Sequence, residues 1–466
     1  MDGKEDGAMG LSQPDRGVPP VALTRRQLLR GVGGLALGGV AASTLSSCGS
    51  AGALSGLSVA HRQAGSLDYW NLFGGGDGVR MEAMEAGFRK KYPNIGLTAV
   101  TLAWGNPYYT KLSLATLGRK PPDVAVSHLT RMKTLVAANL VEELTPAHLA
   151  SVGITADKIA QRPWQTALVD GKIYAVPLDT HPIVTFYNTK VCKKAGLLDS
   201  NGKLAPMDSP QAFTTALQKA KKVTGQAGAV IPITNETATP WRVFQSLYSQ
   251  LGGKMLADQG TKIVIDQGKA MKVLELMASL SKENLIPSRL DYQGSIAMFA
   301  NGDAGFLFQG EWEITTFQTA KTPFSMTLFP NVYGGPNGYA VQADSHTLLV
   351  PKQPVNDPTR FHHSLQFIRS MLDQSKTWAE GGHIPAWLPF RDSATYKHMT
   401  PQSNYAKAAD YAVYDPPAWY SGSGSIFEII VGSVIGGVVA GQITPAGAIK
   451  QMRSKLGDLA HTAPPT

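Results

Sequence analysis

The chain is poor in the residues that usually mark disulfide scaffolds, metal centres and nucleic-acid binders. It has two cysteines in 466 residues, Cys48 and Cys192. Cys48 falls in an N-terminal segment with its own logic, described below. If it is modified there, Cys192 in NTKVCKKAG has no partner and reads as a small packed residue. Charged residues make up 17%, against roughly a quarter in an average soluble chain. The formal charge is +9, yet no block of Lys or Arg is longer than a few residues. The densest, RKK at 89–91, sits on a predicted amphipathic helix, so the basicity is diffuse and nucleic acid is not an expected partner. The ten histidines form no HExxH and no spaced Cys/His set, so no metal site is expected. GGGDGVRM at 74–81 lacks the GxGxxG spacing of a dinucleotide site, and neither a Walker A motif nor a GxSxG elbow occurs. No cofactor is expected.

What is present begins with an export signal. TRRQLLR at 24–30 sets adjacent arginines before GVGGLALGGVAASTL at 31–45, and the run ends in LSSC at 45–48. The apolar part is short of the roughly 20 residues a membrane span requires, and the layout is that of a secretory signal. It resembles a twin-arginine export signal fused to a lipobox. That resemblance implies that residues 1–47 are removed, that Cys48 carries the lipid, and that 48–65, including GSAGALSG, tether the domain to the membrane.

From residue 66 the pattern alternates. SLDYWNLF at 66–73, IGLTAVTL at 95–102 and PPDVAVS at 121–127 read as strands. Between the first two lies a helix with Met81, Met84, Phe88 and Tyr92 at helical spacing and Asp77 as its predicted cap. Alternation of this kind predicts βαβ units and a largely parallel sheet in an α/β chain. Beyond 210 the pattern is more helical. Strands return at 302–312 and 345–352, and the apolar run 426–441, broken by Glu428 and glycines, reads as a buried helix.

Several segments, in order, resemble the carbohydrate-binding solute-binding proteins of ABC importers, the group that includes maltose-binding protein. They are FRKKYPNIGLTAV at 88–100, KLSLATLGRKPPDVAV at 111–126, DGKIYAVPLDTHPIVTFYNTKVCKKAGL at 170–197 and AMFANGDAGFLFQGEWEI at 297–314. The resemblance covers roughly 66–455. It implies a two-lobe periplasmic-binding (Venus flytrap) fold, with ligand held between lobes joined by hinge crossovers. Those crossovers are expected near Asp179–Val184, Phe308–Gly310 and Leu348–Pro351. Lobe 1 is then 66–180 with 309–350, and lobe 2 is 181–308 with 351–460. Loops just after each strand should line the cleft.

A sugar site needs aromatic platforms and planar polar groups. In FQGEWE, Trp312 is the stacking candidate and Glu311 the hydroxyl acceptor, or else a helix-start acid. Gln309 and Gly310 share that segment, and Glu313 is read as structural. If the segment is extended, Glu311 and Glu313 share a face opposite Trp312. Asp179 and His181 sit at the first crossover, where Asp179 either binds ligand or ties the hinge. His128 ends a strand at the cleft mouth or is simply packed. Gly75, Gly76 and Asp77 form a loop whose amides can donate to an oxygen, or a plain capped turn. Trp241 stacks or belongs to the core. Ser345 and His346 lie at the third crossover. His383 and Arg391 project from GGHIPAWLPFRDS at 381–393, where Arg391 forks hydroxyls or pairs with an Asp.

The expected role is capture of a di- or oligosaccharide or amino sugar by a monomeric, lipid-anchored receptor on the extracytoplasmic face, which delivers it to ABC permease subunits without chemistry. The alternatives are the same receptor for a glycerophosphodiester or other polar solute, or an extracellular glycoside hydrolase working through two carboxylates.

Overall fold

The computed structural model describes residues 66–335 and 338–464; the arginine signal, Cys48 and the tether lie outside the described residues. Strand β1 (Ser66–Asn71) leads through glycines into helix α1 (Gly75–Lys91), which buries Met81, Met84 and Phe88 along one stripe. The helix stops at Tyr92, ahead of Pro93, where the pre-proline position disfavours helix. Strand β2 (Gly96–Thr101), helix α2 (Asn106–Leu117), strand β3 (Val124–His128) and the short strand β4 (Val176–Pro177) follow.

The chain then enters a second unit through β5 (Asp179–Asn188), all ten residues of which are buried. Strand β6 (Ala227–Val230), helix α3 (Ala238–Gln250), helix α4 (Tyr292–Ala300), strand β7 (Ala304–Gly310), strand β8 (Phe324–Leu328) and strand β9 (Val341–Asp344) build that unit. Strand β10 (His346–Leu349) and helix α5 (Pro358–Asp373) return to the first. Strand β11 (Ile384–Pro385), strand β12 (Ala412–Val413) and helix α6 (Ile426–Val439) end in the second.

Two sheets result. The first has the order β2-β1-β3-β10-β4 and the second β12-β9-β5-β7-β6, with β8 and β11 also paired to β5. Strand β1 pairs parallel with β2 and β3, as the βαβ pattern predicts. The expectation of a largely parallel architecture is corrected elsewhere: β10 runs antiparallel to β3 and β4, and β5 takes β7, β8, β9 and β11 antiparallel. Strands that return across a hinge arrive in the opposite direction, which local periodicity does not encode.

Each sheet carries its own core. One gathers Tyr69, Phe88, Val126, Leu348, Phe367, Trp378 and Ala386. The other gathers Ile183, Phe186, Trp241, Phe306, Phe317, Val341, Ile384 and Val431. The expected division of the later segments is therefore corrected. Residues 314–341 pack in the second core through Ile314, Phe317, Met326 and Val341. Residues 365–379 pack in the first through Leu365, Phe367 and Trp378. The chain crosses between Leu178 and Ile183, between Asp344 and His346, and over 379–405, where Ile384 already touches the second core while Ala386 and Trp387 still pack in the first. It does not cross at Phe308–Gly310, because Phe306–Gly310 is hydrogen-bonded along Tyr187–Ile183 and stays in the second sheet. Nor does it cross at Leu348–Pro351, since Leu348 and Leu349 already pair with Val126 and Ala125 of the first sheet.

The apolar run becomes α6, packed against α3 so closely that a Cβ at Gly432 would lie 1.8 Å from the Thr237 carbonyl oxygen. Among the described residues no helix is long and apolar enough to cross a membrane. Cys192 is buried, and burial pushes its thiol up to about 12, which makes it an inert packing group.

Candidate functional site

A cavity of about 510 Å³ opens between the two units. The first contributes the Leu72–Asp77 loop, Trp104, His128 and His346; the second contributes Glu236, Thr239, Arg242, Tyr292, Gln293, Trp312 and Glu313, and His181 comes from the first crossing. A larger groove of about 760 Å³ lies on the first unit alone, among Asp123, Glu142, Asp357 and Arg360. It contains no tryptophan, and Arg360 there is ion-paired with Asp123. The interlobe cavity has aromatic walls and convergent polar groups, so it is the candidate site.

The floor is histidine. His181 stacks on His346 with ring centroids 4.1 Å apart. Both Nδ1 atoms meet Asp179: His181 at 3.1 Å from Oδ1 and His346 at 2.8 Å from Oδ2. Asp179 also accepts the His346 backbone N–H at 2.8 Å and the Trp378 indole N–H at 2.7 Å. Burial opposes ionisation of Asp179, but His346 and His181 outweigh it and hold the carboxyl well below the usual carboxylate range. Burial, reinforced by His346, drives His181 down to about 3, and burial with its imidazole neighbours lowers His128 as well. His128 is fixed from behind, with the Tyr109 hydroxyl 2.8 Å from Nδ1. The floor thus presents imidazoles whose orientations are already set.

The second-lobe wall is different. Arg242 is 6% exposed, and its guanidinium carbon sits 5.2 Å from the centre of the Trp312 ring. Its nearest carboxylate, Glu428, is 3.7 Å away, too far for a hydrogen bond. Burial disfavours the Arg242 charge, and the acids around it, Glu428 foremost, favour it. Trp312 donates its indole N–H to the Tyr292 hydroxyl at 2.9 Å, and that hydroxyl donates to Glu313. Glu236 accepts the Thr239 backbone N–H at 2.7 Å. Gly310 is what lets the indole fold back: a Cβ there would lie 2.0 Å from the Trp312 ring.

The structure gathers seven of the expected residues around the cavity: Gly75, Gly76, Asp77, His128, His181, Trp312 and His346. Others are placed differently. Residues 311–313 form a turn of 3₁₀ helix, not a strand, so Glu311 and Glu313 do not share a face. Glu311 is fully buried, 3.0 Å from His383, while Glu313, expected to be structural, lines the cavity. Asp77 does not cap α1, whose N-cap is Gly74; it sits in the first turn and accepts from His383 Nε2 at 2.9 Å. Asp179 and His383 are 0% exposed and lie beneath the floor. Gln309 is occupied with the Thr239 hydroxyl and its own neighbour's amide. Ser345 is buried on the His346 carbonyl.

Trp241 is a core residue, edge-on to Phe427, with its indole N–H on Asp415 at 2.9 Å. Arg391 pairs with Asp410 at 3.0 Å, away from the cavity. Trp104, Glu236, Arg242 and Tyr292 were missed. Trp104 follows β2 and so obeys the rule that post-strand loops line the cleft. Arg242 stands beside Trp241, and only the rotation of α3 decides which of the two faces the cavity.

Comparison with known proteins agrees with this architecture. The sequence pattern of the bacterial extracellular solute-binding proteins matches residues 75–356. An arabinooligosaccharide-binding protein of Bacillus subtilis is 27% identical over 230 residues, 48% of this chain and 49% of that protein. The chain spans about half the length of the curated relatives it matches. Among solved structures, the GacH receptor of Streptomyces glaucescens, described unliganded and with acarbose, superposes with a TM-score of 0.71 at 15% identity, covering 85% of this chain and 98% of the receptor. Maltose-bound MalE3 of T. maritima gives 0.71 at 18% identity, covering 84% and 99%. These likenesses show the shared two-lobe fold.

Proposed function

The chain belongs to the bacterial extracellular solute-binding proteins, and from that premise we propose that it captures a sugar between its two lobes and delivers it to the permease of an ABC importer. The observation that carries this reading is the Trp312 wall. An indole faces the cavity with Arg242 against it and Glu236, Thr239, Gln293 and Glu313 around it. A sugar offers apolar C–H faces to such a ring and hydroxyls to such polar groups. The ligand class is a di- or oligosaccharide or amino sugar. The relative named for arabinooligosaccharide and the solved structures described with acarbose and with maltose support that class.

The protein acts by binding without turnover. Glu311 faces His383 and is shut off from the cavity, so it does not form with Glu313 the flanking pair that glycoside hydrolysis requires. Closure of one lobe on the other then buries the ligand. The receptor works as a monomer on the extracytoplasmic face, held by lipid on Cys48 after twin-arginine-type export, and it engages the permease rather than nucleic acid.

A thermal-shift screen of the purified protein against oligosaccharides, amino sugars, peptides and glycerophosphodiesters tests this. A ligand that binds only the native state raises the melting temperature. The expected result is a shift with an oligosaccharide or amino sugar and recovery of that sugar unchanged. A shift with a peptide or phosphodiester alone would overturn the sugar assignment, and release of monosaccharide would overturn binding without turnover.

A further inference from the structure

In and just beneath the cleft floor, four side chains each bring one donor atom close to the others. They are Asp179, His181, His346 and His383, with donor atoms all within 4.8 Å of one another. All four are buried. Each of the three chain crossings contributes at least one of them: Asp179 and His181 the first, His346 the second and His383 the third.

The spacing is informative. The Asp179 oxygens lie 2.8 Å from His346 Nδ1, 3.1 Å from His181 Nδ1 and 3.5 Å from His383 Nδ1. Tetrahedral zinc with ligands at roughly 2.0–2.2 Å has ligand-to-ligand edges of about 3.3–3.6 Å. The carboxylate–imidazole edges are therefore near the required size before any ion is added.

The orientation of His383 points the same way. A metal-bound imidazole usually gives its far N–H to a carboxylate or carbonyl, which turns the near nitrogen's lone pair to the ion. His383 Nε2 is 2.9 Å from Asp77 Oδ1. Its Nδ1 is fully buried, 3.0 Å from a Glu311 oxygen and 3.5 Å from an Asp179 oxygen. A divalent cation here sits among three carboxyl groups, those of Asp77, Asp179 and Glu311.

We propose that Asp179, His181, His346 and His383 form a site for a divalent transition-metal ion of the zinc class, with Glu311 within reach as a further carboxylate. Three imidazoles and a carboxylate suit zinc, cobalt or nickel and not magnesium or calcium. On binding, the Nδ1 protons of His181 and His346 move to Nε2, the tautomer that leaves Nδ1 free to coordinate. His181 and His346 also line the cavity, so the ion enters from the cleft. An ion held there joins all three crossings and stiffens the hinge. The site does not depend on the identity of the solute.

The test uses the purified full chain, stripped with a chelator and titrated with zinc alone by calorimetry, and in parallel with cobalt by visible absorption. The expected result is saturation at one ion per chain, the intense visible bands of tetrahedral cobalt, and a melting temperature raised by zinc. His346→Gln and His383→Gln should weaken zinc at least tenfold, and Asp77→Asn, which removes the partner of His383 Nε2, roughly tenfold. His398→Gln, at an exposed histidine outside the cluster, should change nothing. Absence of saturable binding, the weak bands of octahedral cobalt, or unchanged affinity in both histidine variants overturns the proposal. If a variant fails to fold, the cobalt spectrum of the unaltered chain still decides.

Discussion

The floor of the cleft and its second-lobe wall hold comparable sets of polar side chains and leave them in different states. On the floor, His181 and His346 are tied to Asp179 and His128 to Tyr109. On the wall, Arg242 lacks a close carboxylate, and Trp312 turns its ring to the cavity. Groups that already satisfy one another gain little from a ligand, whereas groups held in place with capacity to spare gain much. The floor should therefore set the geometry between the lobes, and the wall should supply affinity.

Substitutions can break this division of labour, and the largest effect should come from the floor. Asp179→Asn removes the charge that meets three imidazoles and an indole N–H, and loss of one partner of a buried ionic network costs about 3–5 kcal/mol. Denaturant unfolding should show that loss; a change near zero would place the network's stability elsewhere. Trp312→Ala should leave the fold intact and weaken sugar by about 2 kcal/mol or more, a roughly 30-fold rise in Kd. Gly310→Ala should do much the same by displacing the ring, and calorimetry with the ligand found by the screen would measure both.

A smaller effect concerns pH. Burial pushes the Glu428 carboxyl up to about 8, against the pull of Arg242. The folded chain therefore keeps a proton that the unfolded chain releases above its ordinary value of 4.5. Stability from this group falls as pH rises from about 4.5 to 8, by at most about 1.4 kcal/mol per pH unit for one proton. Glu428→Gln should flatten that slope, read from unfolding curves across the window; an unchanged slope would show that the carboxyl is ionised throughout. The smallest effect belongs to Arg391→Ala. It breaks a pair with exposed Asp410 and should move stability by no more than about 1 kcal/mol, with sugar affinity unchanged.

Much of the fold was legible along the chain. Strands β1 to β3, helix α1 with its apolar stripe and the buried helix α6 all lie where local periodicity places them. So do the post-strand and crossover positions that supply His128, His181 and His346 to the cavity. Period and strand-end position are local properties, and a linear reading can hold them.

What the tertiary structure decided is the assignment of segments to lobes and the direction of each side chain. Residues 314–341 belong to the second core because β7 pairs with β5 through to Gly310, a contact more than a hundred residues apart in sequence. Trp241 and Arg242 are neighbours, yet one fills the core and the other faces the cleft, because helix rotation against α6 sets them on different faces. Glu311 and Glu313 exchange their expected roles because the chain turns after Gly310. The convergence of Asp179, His181, His346 and His383 has no sequence spacing to announce it, since its members come from three separate crossings. Composition and periodicity determined which elements form and where strands end; packing between distant segments determined which of their side chains meet.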